Sequence, residues 1–194
     1  MNSQPLPVDH GAPVRIVAPG IAGARSVKWL EAITVQATES SNFYQTHDYK
    51  ILPPEAKDKQ MAEQYWGKTP ALQDMPINSV IASPQSGERI QLDGEDKLEV
   101  NGYALPQGSD GPVVAVEVST DDGSSWEKAE ILGQPGKWSW ALWTARVRLE
   151  SGKPKIILSR ATDKGGNIQS GDSKWNLRGV AYNGFGEARD LEVL

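Results

Sequence analysis

Glycine and proline interrupt this chain so often that long helices are ruled out. The 194 residues hold 19 Gly and 13 Pro. Gly weakens a helix interior through backbone entropy, and Pro removes an amide donor and clashes with the preceding turn. Only residues 54–66 carry good helix formers over more than about ten positions. That polar stretch, Glu55-Ala-Lys-Asp-Lys-Gln-Met-Ala-Glu-Gln-Tyr-Trp66, reads as a short surface helix inside a connector. From Leu72 onward, apolar runs of about four to eight residues recur between turn signals. Strands are expected at 79–82, 97–104, 113–119, 127–132, 138–146, 155–162 and 178–182. Alternation is clearest in Val114-Ala-Val-Glu-Val118 and Ile156-Ile-Leu-Ser-Arg-Ala161. Short strands without intervening helices predict an all-β fold, a β-sandwich, with a closed barrel as the alternative. Val14-Arg-Ile-Val17 and Ile33-Thr-Val35 are also strand-like. They belong to a segment too short for a core of its own.

The residue inventory removes several kinds of chemistry. The chain has no cysteine, so thiolate nucleophiles, disulfides and cysteine-held zinc are absent. With His10 and His47 as the only histidines, a His-rich metal site is impossible. No P-loop, GxGxxG or HExxH is present. The formal charge is −5, against the basic excess expected of a nucleic-acid binder. No apolar stretch approaches the roughly 18–20 residues that span a bilayer, so no membrane association is expected. The first residues lack the basic and apolar regions of a signal peptide. No targeting segment is visible, and the compartment stays open.

Five constellations could carry function. From His10 to Leu30 there is no Asp or Glu, while His10, Arg15, Arg25, Ser26 and Lys28 share the window with Gly11, Gly20 and Gly23. Cations beside Gly-rich backbone suit a phosphate or another compact anion, and a solvated basic face is the plainer reading. Ser119-Thr-Asp121-Asp-Gly123-Ser-Ser-Trp126 reads as an Asp-box-type hairpin whose carboxylates serve the turn. Trp138, Trp140 and Trp143 crowd one expected strand, the first two on one face and Trp143 on the other. They suit a core or a dimer contact better than a stack for sugars or bases. Asp163-Lys-Gly-Gly-Asn167 reads as a hairpin turn rather than a calcium loop. In Trp175-Asn-Leu-Arg178-Gly179 the arginine needs an anionic partner if buried, either a carboxylate of the fold or an oxyanion ligand.

These segments together resemble the C-terminal region of the sulfite oxidase family of molybdenum enzymes. Pro7-Val-Asp-His10-Gly-Ala-Pro-Val-Arg15 and Pro19-Gly-Ile-Ala-Gly-Ala-Arg25-Ser-Val-Lys28-Trp29-Leu30 are similar to the end of that family's molybdopterin domain. Leu72-Gln-Asp-Met-Pro-Ile-Asn-Ser-Val-Ile81, the Asp121–Trp126 turn, Trp138-Ser-Trp-Ala-Leu-Trp143 and Trp175-Asn-Leu-Arg178-Gly179 are similar to its dimerisation domain. The resemblance covers nearly the whole chain and is weakest around residues 50–70. It implies an immunoglobulin-like sandwich at 72–194, a connector at 41–71 and a β-rich end of the molybdopterin domain at 1–40. It further implies that His10, Arg15, Ser26, Val27 and Lys28 contact molybdopterin, chiefly at its phosphate end, and that Arg178 binds sulfite. A homodimer through the sandwich follows in the same way.

The family's metal ligand is a cysteine thiolate, which this chain lacks. The chain is therefore expected to be one part of a molybdenum–molybdopterin sulfite oxidase, without turnover by itself and with no catalytic or metal-ligating residue of its own. No haem module is visible, so a haem in the parent is undetermined. Two readings compete. One is a stand-alone dimerisation or interaction module. The other is the same portion of an assimilatory nitrate reductase, a branch that typically carries Met where Arg178 stands.

Overall fold

The computed structural model describes residues 3–149 and 152–194. They form two compact units. One comprises the chain up to Met75 together with Lys174–Tyr182, and the other Pro76–Ser173 with Asn183–Leu194.

The second unit is an immunoglobulin-like β-sandwich. Its strands are β1 (Asn78–Ser83), β2 (Arg89–Ile90), β3 (Lys97–Leu105), β4 (Val113–Ser119), β5 (Glu127–Lys128), β6 (Glu130–Ile131), β7 (Ala141–Arg148), β8 (Gly152–Asp163) and β9 (Gly186–Val193). One sheet runs β1-β3-β7-β6 and the other β2-β9-β8-β4-β5. Every pairing is antiparallel except β2 with β9. Lettered A, A′, B, C, C′, D, E, F and G in chain order, the strands give A-B-E-D facing G-F-C, the arrangement shared by such sandwiches. A barrel is thereby excluded.

Period-two alternation builds the core. On β7, Ala141, Trp143, Ala145 and Val147 point inward and are buried, while Leu142, Arg146 and Arg148 are exposed. Val100 and Ala104 of β3, Val116 and Val118 of β4, and Ile157 and Ala161 of β8 complete the same cluster. Trp143 fits because Gly102 is its register partner. A Cβ on Gly102 would lie 2.2 Å from the indole Cζ2 and 2.2 Å from the Val80 carbonyl oxygen.

The Ser119–Trp126 segment is a closed hydrogen-bonded turn. Asp121 accepts from Ser119 Oγ (2.7 Å), Ser125 N (2.8 Å) and Ser125 Oγ (2.6 Å), and Ser119 Oγ accepts from Gly123 N (2.9 Å). Trp126 donates to the Gly123 carbonyl (3.1 Å) and lies between Phe185 and the Arg160 guanidinium. Hydrogen bonds from the Ser125 hydroxyl and amide, then from Ser119, lower the Asp121 pKa to about 2. A depressed carboxylate stabilises the fold above its unfolded pKa, and that stabilisation is lost as pH falls through the folded value. Urea titrations should therefore show the chain weakening between about pH 4 and pH 2. Asp121→Asn should be less stable at pH 6 and flatter across that interval, and parallel pH profiles would remove the role given to this carboxylate.

Asp163 is likewise a turn anchor. Its buried carboxylate accepts from Gln107 N, Asn167 N and Asn167 Nδ2, each at 3.0 Å. No group of metal-ligating side chains occurs among the described residues.

Several expected elements differ. The 127–132 strand is two short strands in opposite sheets, and the tryptophan-rich strand starts only at Ala141. The 178–182 strand is instead a turn, because Gly179 and Ala181 take φ of +61° and +55°, which extended backbone cannot accommodate. The 14–17 and 33–35 segments are not strands, and Ile33 and Val35 are exposed. Helix content at 54–66 is a single turn, α2 (Lys59–Ala62), capped by Asp58, which accepts from Met61 N. A similar turn, α1 (Phe43–Thr46), is capped by Asn42.

Candidate functional site

The first unit has a small core of its own, made by Leu52, Ala56 and Ala62 with Tyr65, Trp66 and Leu177 packed against them. Two groups of sequence-predicted residues lie in this unit.

The acid-free window folds back on itself. A short 3-10 turn (Val8–His10) ends at Gly11, whose φ is +106°. The chain returns so that Ile16 N donates to Val27 O (2.9 Å), Leu30 N to Val14 O (2.9 Å) and Trp29 Nε1 to Val8 O (2.9 Å). A Cβ on Gly11 would fall 2.8 Å from Lys28 Cβ, so glycine permits this approach of the two arms. Arg15 joins them, donating to His10 O (3.0 Å) and Ser26 O (3.2 Å), and Ser26 Oγ accepts from Ala18 N (3.1 Å). Lys28 Nζ donates to Asp9 O (2.7 Å) and lies over the Trp29 ring. His10, Arg15, Ser26, Val27 and Lys28 are thus neighbours in one hydrogen-bonded double arm. Among the described residues the His10 ring has no hydrogen-bond partner and the exposed Lys28 ammonium uses one donor, whereas the Arg15 fork is engaged with backbone carbonyls.

Arg178 is placed by the turn that carries it. The buried Asn176 side chain closes the turn from both sides, donating to Val180 O (3.0 Å) and accepting from Val180 N (3.0 Å). Leu177 anchors the turn in the small core, and Gly179 supplies the positive φ that follows the arginine. The Arg178 guanidinium pairs with Asp48, a carboxylate of the fold. Arg178 and Leu177 line a cavity of about 490 Å3 with Phe43, His47, Lys59 and Trp66. The His47 ring stacks on Phe43 at 4.9 Å and leans on Trp66 at 5.5 Å, and its Nδ1 meets Thr46 Oγ1 at 2.8 Å.

The sequence reading missed Asp48, His47, Lys59 and Trp66. Their spacing carries no motif, and what unites them is the return of residues 174–182 to the unit formed by the first 75. The one available signal was the arginine's need for a counter-charge.

Residues 69–187 match the Mo-co oxidoreductase dimerisation domain, and residues 1–44 match the oxidoreductase molybdopterin binding domain. The chain is 39% identical over 192 residues to human mitochondrial sulfite oxidase, covering 95% of this chain and 34% of that protein. It is 37% identical over 192 residues to the NADH nitrate reductase of Ulva prolifera, covering 94% and 22% respectively. The crystal structure of the sulfane dehydrogenase SoxCD from Paracoccus pantotrophus superposes with a TM-score of 0.73 at 28% identity, over 93% of this chain and 44% of that one. The chain thus spans about a third of the length of the human relative.

Proposed function

The chain belongs to the sulfite oxidase family of molybdopterin oxidoreductases, and from that premise we propose that it is the cofactor-contact and dimerisation portion of a molybdenum-dependent sulfite oxidase. The observation that carries this reading is the membership of Arg178 in the same compact unit as the His10–Lys28 arms, although about 150 residues separate them in sequence. We read residues 1–40 as the end of the molybdopterin domain, 41–71 as a connector and 72–194 as the dimerisation domain.

The donor set fits the phosphate end of molybdopterin. The glycine-dependent closure at Gly11 brings an ammonium, an imidazole and exposed backbone together in a window without carboxylates. The donor set does not fit the metal, since the chain offers no thiolate. When bound, the molybdenum–molybdopterin group supplies oxygen-atom transfer and accepts the two electrons released as sulfite becomes sulfate. Lys28 would neutralise the phosphate and His10 would hydrogen-bond it, Ser26 and Val27 would shape the backbone around it, and Arg15 would hold the two arms at the right separation. Arg178 would hold the sulfite oxyanion through parallel charge-assisted hydrogen bonds.

The molybdenum-loaded full-length protein should oxidise sulfite with an electron acceptor and leave nitrate unreduced. Nitrate reduction without sulfite oxidation would transfer the chain to the other branch, which the 37% identity to a nitrate reductase keeps in view.

The sandwich also carries a surface suited to a second copy. Trp140 stacks on Tyr103 at 4.6 Å, and Leu142 is the register partner of Tyr103 on the outward face of β7. Trp140 is 58% and Leu142 56% exposed. Large apolar side chains grouped on a sheet face mark an association surface. Trp140→Asp combined with Leu142→Glu should convert a dimer into a monomer in sedimentation runs without changing the circular dichroism, and a persisting dimer would move the interface elsewhere.

A further inference from the structure

The cavity beside Arg178 is more apolar than a bare oxyanion needs. Phe43, Ala62, Trp66 and Leu177 form much of its wall, and Arg178 and Lys59 supply its cations. Glu63 is the carboxylate of the lining. The volume of about 490 Å3 falls in the range of sites for small organic molecules. Apolar walls offer nothing to the oxygens of sulfite, because an ion set against them without hydrogen bonds loses its hydration uncompensated. The wall is nevertheless held in place. The buried Lys50 donates from Nζ to Trp66 O (2.6 Å), and Trp66 N donates to Ala62 O (3.2 Å). The core of Leu52, Ala56 and Ala62 backs both Trp66 and Leu177. The His47 ring lies parallel to Phe43 within 7° and also meets Trp66. Phe43 is 58% exposed, which leaves apolar surface for a ligand to cover.

We propose that this cavity is a binding site for organic sulfonates, with the charged head on Arg178 and the apolar body against Trp66 and Leu177. This rests on the reading of Arg178 as the oxyanion ligand, and it extends that reading from an inorganic anion to a carbon-bearing one. A sulfonate presents its oxygens on sulfur as sulfite does, so one guanidinium receives either. The body withdraws apolar surface from water, a gain that sulfite cannot make. Walls already ordered before binding lose little conformational freedom when the ligand arrives. Lys59 adds a second cation for the head, opposed in part by Glu63. Because both ligands use Arg178, an organic sulfonate competes with sulfite in the full-length protein.

The test titrates the whole chain with benzenesulfonate, sulfate and benzyl alcohol at constant ionic strength, reading the 15N signals of the tryptophan indoles and the 13C signals of the leucine methyls. Benzenesulfonate should bind at least about tenfold more tightly than sulfate. It should shift the Trp66 indole and the Leu177 methyls. Benzyl alcohol, which keeps the ring and lacks the charge, should bind more weakly than benzenesulfonate. Arg178→Met should abolish the sulfate response and weaken benzenesulfonate at least about tenfold. Trp66→Ala should erase the advantage of benzenesulfonate over sulfate. If Arg178→Met leaves sulfate binding intact, the oxyanion reading of Arg178 falls, and this proposal falls with it. If Arg178→Met abolishes sulfate binding while benzenesulfonate binds the wild type no better than sulfate does, the organic-ligand site alone falls. Shifts confined to residues outside the cavity also overturn it. Both wild-type readouts decide the matter even if Trp66→Ala fails to fold.

Discussion

Arg178→Met in the molybdenum-loaded full-length protein is expected to lower kcat/KM for sulfite by at least about a hundredfold, with most of the loss in KM. The size follows from removing two hydrogen bonds between charged partners, each worth roughly 1.5–3 kcal/mol. The split follows because sulfite and sulfate are both oxyanions, so the guanidinium holds ground state and transition state alike. Arg178→Lys should fall between wild type and Arg178→Met, since it keeps the charge and loses the fork. The substitution also strands Asp48, which is 15% exposed and loses its cation. The double variant Arg178→Met, Asp48→Asn removes that orphaned charge. It should regain thermal stability while keeping the kinetic defect, which separates loss of substrate binding from loss of fold. Steady-state kinetics unchanged in Arg178→Met would take substrate binding away from this residue.

The largest expected stability effect lies in the sandwich. Trp143→Ala should cost about 3–5 kcal/mol, the range for removing a large aromatic side chain from a packed core. Domains of this kind have only about 5–15 kcal/mol in total, so the urea midpoint should drop steeply with little change in slope. Trp143 is 1% exposed, and its Nε1 has no hydrogen-bond partner among the described residues. Trp143→Phe should therefore cost much less than Trp143→Ala, because it removes a buried unsatisfied donor along with part of the ring. Gly102→Ala should be destabilising in its turn, with a new methyl driven into the indole and the Val80 carbonyl. Combined with Trp143→Leu it should cost less than the sum of the two, since the smaller side chain vacates the space. Strict additivity would show that Gly102 and Trp143 do not share that space.

Legibility of the fold tracked burial on two faces. β4 coincides with the expected strand at 113–119, and β1, β3 and β8 contain theirs, because each carries a short apolar, largely β-branched run bounded by turn residues. β9 escaped notice for a local reason. Gly186-Glu-Ala-Arg-Asp-Leu-Glu-Val193 is polar, and Asp190 at φ +56° breaks the alternation between Ala188 and Leu191. The pairing register of β8 with β9 shifts in the same region. Nothing local in the 127–132 run marks its change of sheet. Ala129 N still bonds Val116 O, while Glu130 and Ile131 already pair with β7.

The site divides along the same line. The amino-acid order by itself determined the acid-free window, the glycine that lets its arms close, the absence of any thiolate and the presence of one arginine in need of a counter-charge. These are properties of residue type over short spans, where backbone preference and charge act locally. Only the tertiary structure decided that Arg178 sits on a turn rather than a strand, that Asp48 is its partner across 130 positions and that His47, Lys59 and Trp66 share its cavity. Such a pairing depends on loop closure and on the anchoring of Leu177 in a distant core, and no local pattern in the chain encodes either.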